Sequence, residues 1–270
     1  MVGNNVKIEI IIEIAEGVMD AVADCISTQD FAEIVKYRPT GITRRVDLVA
    51  EEALETELIE YGICARVVSE ELGERIIPAD KEPICTLVFD PVDGSTNAIS
   101  GIPFFCTSIA YSPKIKDVAF EDIEIGVVRT TTKKTYHAIK GEGAYLNGEK
   151  LIPKKNPSTK PVLCVYTYGV PEVPQGAIEL KKDIIVRVFG SIAMEICLVA
   201  EGVVDGVVDV RNLINGYDIL ASMLILKEVG GRLTDQSGRD LNEDVSATNL
   251  CIVATLDPEM HKRVLDKLSK

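Results

Sequence analysis

Residues 86–103, TLVFDPVDGSTNAISGIP, decide how this chain is read. The apolar run Leu87-Val88-Phe89 stops abruptly at Asp90, which puts that carboxylate at the end of a buried strand rather than on a solvated face. Pro91 fixes a turn, and Asp93 follows three residues after Asp90, close enough to share one cation with it or to hold an adjacent one. Gly94 lets the backbone approach a ligand, and Ser95 and Thr96 stand where a short helix can begin. Backbone N–H groups at such a start receive phosphate oxygens. A plainer reading is open too, because Asp, Pro, Gly and Ser are the favoured residues of a tight surface turn.

Acids elsewhere shift the balance toward a metal site. Glu70 and Glu71, in VVSEELG, follow a strand-like run, and adjacent carboxylates at a strand end are unfavourable unless a cation compensates them. Asp218 opens the apolar helix YDILASMLILKEVGG, and Asp47 opens an amphipathic one; alone, each is equally readable as a first-turn acid that complements the helix dipole.

Outward from this segment, the pattern predicts helices at Val6–Ile26, with an apolar stripe at helical spacing, and at Val46–Tyr61, closed by Gly62. The runs ARVVS, TLVFD, FCTSIAY, IEIGVVRT and TYHAIK read as strands, followed by the Gly-rich turn GEGAYLNG. PKKNPSTKP, residues 153–161, marks a boundary between an α+β half at 1–155 and an α/β half at 156–270. The second half alternates: strand LCVYTYG, helix SIAMEICLVAEG, strand VVDGVVDV, the Asp218 helix stopped by Gly230 and Gly231, strand LCIVATL, and a last helix opened by Pro258.

Composition narrows the function. The chain has 270 residues with 46% hydrophobic content, enough for a substantial core. Its net charge of -13 argues against nucleic acid or an anionic membrane as partner. An acidic protein that acts on phosphate esters needs a locally recruited positive charge, and a carboxylate-bound dication supplies one. The N-terminal run is broken by Lys7, Glu9, Glu13 and Glu16, so it reads as neither signal peptide nor membrane span, and a cytoplasmic protein is expected. Seven cysteines without a C-x-x-C pair read as reduced thiols, and His137 and His261 lack ligand spacing.

Taken in order, VVSEELG, DPVDGSTNAISGIPFFCTSIAY, KGEGAYLNG, GSIAMEICLVAEG and GYDILASMLILKEVGG resemble the successive motifs of the inositol monophosphatase family, nearest to its archaeal-type branch acting on both fructose 1,6-bisphosphate and inositol monophosphates. The resemblance implies an α+β and α/β fold layered as the α-β-α-β-α sandwich of the sugar phosphatases. It also implies that Glu70, Asp90 and the Val92 carbonyl hold one Mg²⁺, and that Asp90, Asp93 and Asp218 hold a second, with Mn²⁺ a substitute and two or three ions per site. Ser95, where the family usually has Thr, and Asp47 would orient the attacking water, with Glu71 in support. Gly94, Ser95 and Thr96 would cradle the phosphate. Gly190 and Ser191 would line the polyol pocket, Asp209 would accept from ring hydroxyls, and Arg211 would face an anionic group or else lie solvated on the surface. Asp24–Arg45, with Pro39 and Gly41, corresponds to the family's mobile loop.

The resulting expectation is a Mg²⁺-dependent phosphatase of a small phosphorylated sugar or polyol, acting as a homodimer. A phosphatase directed to 3′-phosphoadenosine 5′-phosphate or NADP keeps the same metal chemistry, although 5% aromatic content and no Trp give little sign of a base-stacking pocket. A catalytically silent binding protein is the third reading, against which the complete acid set speaks.

Overall fold

The first helix forms where the apolar stripe predicts it: α1 (Ile8–Ile26) buries Ile11, Ile14, Ala15, Val18 and Val22 on one face. It packs on α2 (Arg45–Glu60), whose end is set by Gly62 at φ 66°. This is a computed structural model that describes residues 6–38 and 41–269. Between the helices the structure differs from the expected loop. Strands β1 (Ile34–Arg38) and β2 (Gly41–Arg44) pair antiparallel as a hairpin, because Ile34, Val35, Tyr37, Ile42 and Thr43 are β-branched or aromatic. Pro39 lies outside the described residues.

The next strands are β3 (Ala65–Ser69), β4 (Gly73–Ile77) and β5 (Cys85–Asp93). After the short helix α3 (Ser95–Ile99) come β6 (Cys106–Ser112), β7 (Ile125–Thr130), β8 (Thr135–Ile139), β9 (Gly143–Leu146) and β10 (Glu149–Lys150). They form an eight-stranded sheet in the order β10-β9-β8-β7-β6-β5-β3-β4, antiparallel except for the parallel pair β3–β5. All nine residues of β5 are buried, as a central strand covered on both faces requires.

The second sheet follows the linker. Its elements are β11 (Val162–Tyr166), α4 (Gln175–Leu180), β12 (Ile185–Arg187), α5 (Ile192–Glu201), β13 (Gly206–Ile214), α6 (Gly216–Glu228), β14 (Arg232–Thr234), β15 (Leu250–Thr255) and α7 (Pro258–Leu268). The strands run in the order β12-β11-β13-β15-β14. β13 begins three residues later than the sequence VVDGVVDV suggests. Gly202, at φ 78°, and Val203 donate back to the carbonyls of Val199 and Leu198, so the helix is capped there and Val203–Asp205 form the turn before the strand starts.

Packing orders these elements into five layers: α1 and α2, the eight-stranded sheet, α5 and α6, the five-stranded sheet, then α4 and α7. The chain therefore has the α-β-α-β-α sandwich architecture. Helix α6 lies between the two sheets, and Ile219 through Leu226 are buried without interruption, as expected of a helix covered all round. One core joins both halves, with Val88, Cys106 and Ala138 from the first sheet and Cys164, Val207 and Ala254 from the second in a single buried cluster with α5 and α6. The GEG turn is tied to this layer by Glu228, whose two carboxylate oxygens each accept an N–H, from Gly141 and Gly143, at 2.8 Å. Among the described residues no helix is long and apolar enough to cross a membrane.

Helix α6 meets the first sheet with its backbone. A Cβ on Gly126 of β7 would stand 2.5 Å from the Ala221 carbonyl oxygen. Gly126→Ala is expected to destabilise the protein by about 1–3 kcal/mol through overpacking. Thermal unfolding followed by circular dichroism checks this, and an unchanged midpoint would contradict so close a contact.

Candidate metal centre

Three elements deliver three carboxylates to one point. Strand β5 ends in an irregularity: its pairing with β6 shifts between Asp90 and Asp93, so Pro91 and Val92 bulge out of register. The Thr107 hydroxyl donates to the Pro91 carbonyl at 2.8 Å, and the Val92 N–H donates to Asp90 Oδ1 at 3.1 Å, fixing the turned carboxylate. Parallel pairing of β3 with β5 continues one step beyond the strand, where the Glu70 N–H donates to the Phe89 carbonyl at 3.2 Å. Glu70 therefore stands beside Asp90. Asp218 arrives from the first turn of α6, its Oδ2 accepting from the Asn215 N–H at 2.7 Å as a capping acid. One oxygen from each of Glu70, Asp90 and Asp218 lies within 4.8 Å of the others.

Asp93 sits differently from its neighbours. Its carboxylate accepts from the Ser191 hydroxyl at 2.7 Å and from the N–H groups of Ile192 at 3.1 Å and Ala193 at 2.7 Å, the opening of α5. Helix donors hold this charge in place. Ser191 is fully buried on Asp93, so its hydroxyl orients that acid where the sequence reading expected it to line a polyol pocket.

Withdrawal from water pushes the carboxyls of Glu70, Asp90, Asp93 and Asp218 above their usual range, and the charge of Glu70 raises Asp90 and Asp218 further. Asp90 is buried, while Glu70 and Asp218 are partly open to solvent, so the cluster is reachable. The donors are all oxygens, few, and mutually repelling, which fits a hard divalent cation.

Around this cluster stand Asp47, Glu71 and Arg38. Asp47 is 2% exposed in the first turn of α2, accepts from the Arg44 N–H at 2.8 Å, and acts electrostatically on Glu70 and Glu71. Burial pushes Glu71 up to about 8, although its Oε1 accepts from Arg38 Nη2 at 2.7 Å. Arg38 also donates through Nη1 to the Glu70 carbonyl at 2.5 Å. Nothing in the sequence marked Arg38, because a hairpin that only tertiary structure creates carries it in.

One residue past Asp93, Gly94 adopts φ 94° with the Gly190 and Phe104 carbonyl oxygens 3.1 Å from where a Cβ would be. Only glycine suits that position. The first-turn N–H groups of α3 have no intrahelical acceptor and border a cavity of about 550 Å³ lined by Gly94, Ser95, Thr96, Asn97, Tyr168, Val188, Phe189 and Gly190. Asn97, not singled out in the sequence, bridges the two walls by donating through Nδ2 to the carbonyls of Phe104 at 2.7 Å and Phe189 at 2.6 Å. Glu195, a buried acid inside the apolar helix α5, accepts from the N–H groups of Phe189 and Gly190 at 2.5 and 3.1 Å and fixes that loop. An acid in SIAMEICLVAEG was the available signal for it.

Asp209 and Arg211 correct the sequence reading. Asp209 is fully buried, and its carboxylate is taken up by Arg211 through Nε at 3.0 Å and Nη2 at 2.7 Å, leaving no face for ring hydroxyls. The guanidinium is therefore spent on an acid of the chain itself, and it lies 4.5 Å and 4.8 Å from the ring centroids of Tyr166 and Tyr168.

The raised carboxyls make stability depend on pH and on divalent cations. A carboxyl whose folded pKa exceeds its unfolded value contributes stability that is complete below the unfolded pKa and lost as pH rises through the folded one. In chelator the unfolding midpoint is therefore expected to fall from the ordinary carboxylate range up through about 8, the value for Glu71. Divalent cation added at the alkaline end should restore it, and Asp90→Asn should flatten the profile by up to about 1.4 kcal/mol per pH unit. Differential scanning calorimetry across pH with and without EDTA tests this; a midpoint that rises with pH in EDTA would contradict it.

The sequence of residues 4–270 matches the inositol monophosphatase family. The chain is 34% identical over 262 residues to the fructose-1,6-bisphosphatase of Pyrococcus furiosus, covering 96% of this chain and 97% of that protein. It is 31% identical over 275 residues to a bifunctional NADP phosphatase/NAD kinase of Methanococcus maripaludis, covering 96% of this chain and 48% of that longer protein. A solved structure described as an inositol monophosphatase–fructose 1,6-bisphosphatase superposes with a TM-score of 0.81 at 32% identity, covering 96% of this chain and 98% of that one. With the matching profile spanning the described sandwich and its acid cluster, the chain belongs to the inositol monophosphatase family.

Proposed function

We propose that the protein hydrolyses phosphate monoesters of small sugars and polyols, with fructose 1,6-bisphosphate and inositol 1-phosphate as substrates and Mg²⁺, replaceable by Mn²⁺, as the cation. The observation that carries this reading is the convergence of Glu70, Asp90 and Asp218, with Asp90 on the strand that runs directly into the N-terminus of α3. Glu70, Asp90, Asp93, Asp218 and the Val92 carbonyl would hold two or three ions. Bound there, Mg²⁺ supplies Lewis-acid activation of water and neutralises phosphoryl charge.

The chain's own groups do the rest. The N–H groups of Gly94, Ser95 and Thr96 receive the phosphate oxygens and fix the phosphorus for in-line attack. The Ser95 hydroxyl orients the attacking water, and Asp47 accepts the proton it releases. The first-turn bond from the Arg44 N–H holds Asp47 in position for that step. Glu71, which shares Arg38 with Glu70, supports Glu70 from behind.

One observation favours a second substrate class. Tyr168 is 54% exposed on the cavity wall, and Arg211 stacks behind its ring. A rigid aromatic face bordering a phosphate site also suits the base of a phosphorylated nucleotide such as NADP. Phosphate release from fructose 1,6-bisphosphate, inositol 1-phosphate and NADP at saturating Mg²⁺ ranks the classes.

The sugar phosphates are expected to turn over fastest, EDTA to abolish release, and Asp47→Asn to lower kcat about 10²–10⁴-fold without unfolding the protein. Release that persists in EDTA would refute the metal-dependent reading. Tyr168→Ala should weaken NADP turnover more than inositol phosphate turnover, whereas equal losses would remove the nucleotide reading.

A further inference from the structure

We propose that Glu51 is a positioning residue for the metal centre: acting through the Ser69 hydroxyl, it fixes the peptide between Glu70 and Glu71 and so aims the Glu70 carboxylate at Asp90 and Asp218. This rests on the metal-centre reading above, and the experiment separates the two. Glu51 is a fully buried acid on α2, one helical turn beyond Asp47. Its two oxygens are used differently. Oε2 accepts from Arg75 Nη2 on β4 at 2.7 Å, whereas Oε1 accepts from the hydroxyl of Ser69, the last residue of β3. Ser69 is buried as well, so no solvent competes for that bond.

An ionised carboxylate only accepts, and a serine hydroxyl has a single proton. With that proton given to Glu51, Ser69 Oγ keeps only lone pairs, and one of them receives the Glu71 N–H at 3.2 Å. The bonds therefore run in one direction, from the Glu71 N–H to Ser69 and from Ser69 to Glu51, and each polarises the next. The direction in which Glu70 points follows from the two planar peptides that flank it. The peptide before it is held by the Glu70 N–H on the Phe89 carbonyl at 3.2 Å. The peptide after it is held from the sheet and α2 by the Glu71 N–H on Ser69, and from the hairpin by Arg38 Nη1 on the Glu70 carbonyl at 2.5 Å. Both backbone dihedrals of Glu70 are thereby set, and its carboxylate has an oxygen within 4.8 Å of one from Asp90 and one from Asp218.

A clasp between α2 and the sheet would not by itself call for an acid at this position. A buried ion pair gains little over apolar side chains of the same volume. Val46, Ala50, Leu54 and Leu58 already pack α2 into the core that contains Val67, Leu87 and Phe89, and the Arg75 side chain is 21% exposed, open enough to be hydrated without a partner. What an apolar residue at 51 could not do is accept from Ser69 and so orient the amide that follows Glu70. Asp47 and Glu51, on successive turns of one helix, thus serve the cluster in different ways: Asp47 acts on Glu70 through its charge, and Glu51 acts through the backbone.

Mn²⁺ binding, followed by electron paramagnetic resonance of the free ion, tests the proposal on the whole chain, together with hydrogen–deuterium exchange of residues 70–72 in EDTA. Ser69→Ala and Glu51→Met are each expected to bind Mn²⁺ about 10-fold more weakly than the wild-type protein. Each should also exchange about 10-fold faster at residues 70–72, with α1 unaffected. Ser69→Ala removes no charge, so a loss there is not one of long-range attraction between acid and ion. The double variant is expected to bind about 10-fold more weakly, not about 100-fold, because both substitutions break one path. Ser69→Ala binding Mn²⁺ as tightly as wild type, or losses that multiply in the double variant, would overturn the positioning role and leave the metal centre intact. No Mn²⁺ binding by the wild-type protein would overturn both.

Discussion

The structure turns on the repulsion between carboxylates that the fold forces together. Glu70 follows β3, Asp90 lies on β5 and Asp218 on α6, and one oxygen of each lies within 4.8 Å of the others. The remaining charge is handled locally. Asp93 is taken by the start of α5, Asp218 and Asp47 each spend one oxygen on a helix cap, and Glu71 is met by Arg38. Asp90 and Asp218 thus each have an oxygen held by a backbone N–H while each also brings an oxygen to the common centre. Such an arrangement gives up stability for a place where a dication is bound more strongly than water can hold it.

That convergence depends on two features of the architecture. Parallel pairing of β3 and β5 brings their C-terminal ends level, so Glu70 follows one strand and Asp90 ends the run of the other. The sandwiching of α5 and α6 between the two sheets then brings Asp218 and the Asp93-binding helix start from the second half of the chain. Clasps from the second half reinforce this layer: Glu228 on the turn before β9, and Glu201, which accepts from Lys134 at 2.9 Å and from Tyr136 at 2.7 Å on β8. Separating the halves would disperse the cluster, so core packing and site geometry are one property.

What was legible in the sequence follows periodicity and punctuation. The α1 stripe, the uninterrupted apolar helix α6 and the LVF run before Asp90 carry their structure in local pattern, because burial on one face or on all faces dictates residue type. The acids of the site were visible since carboxylates at strand ends and helix starts break an apolar context. Pairing between distant side chains was not visible. Asp209 and Arg211 are two residues apart, yet only the stacking of Tyr166 and Tyr168 on the guanidinium makes them a closed unit. Arg38 could not be distinguished from Lys36 beside it until the hairpin turned one toward Glu70 and Glu71 and left the other exposed.

The two ends of the cavity are held by different means, and this bears on how one scaffold serves several phosphate esters. At one end, Gly94 is confined by the Gly190 and Phe104 carbonyls and Asn97 ties both walls together, so the backbone that would receive a phosphate is held close to the core. At the other end the wall is Tyr168 and Val188, on the irregular stretches that follow β11 and precede α5. Loops there can vary without disturbing the acids. Arg211, locked on buried Asp209, stacks on Tyr168 and so stiffens the aromatic part of that wall. Under the proposed function, the organic part of the ester would meet a wall stiffened by Arg211, while the phosphorus would meet groups that the core holds in place.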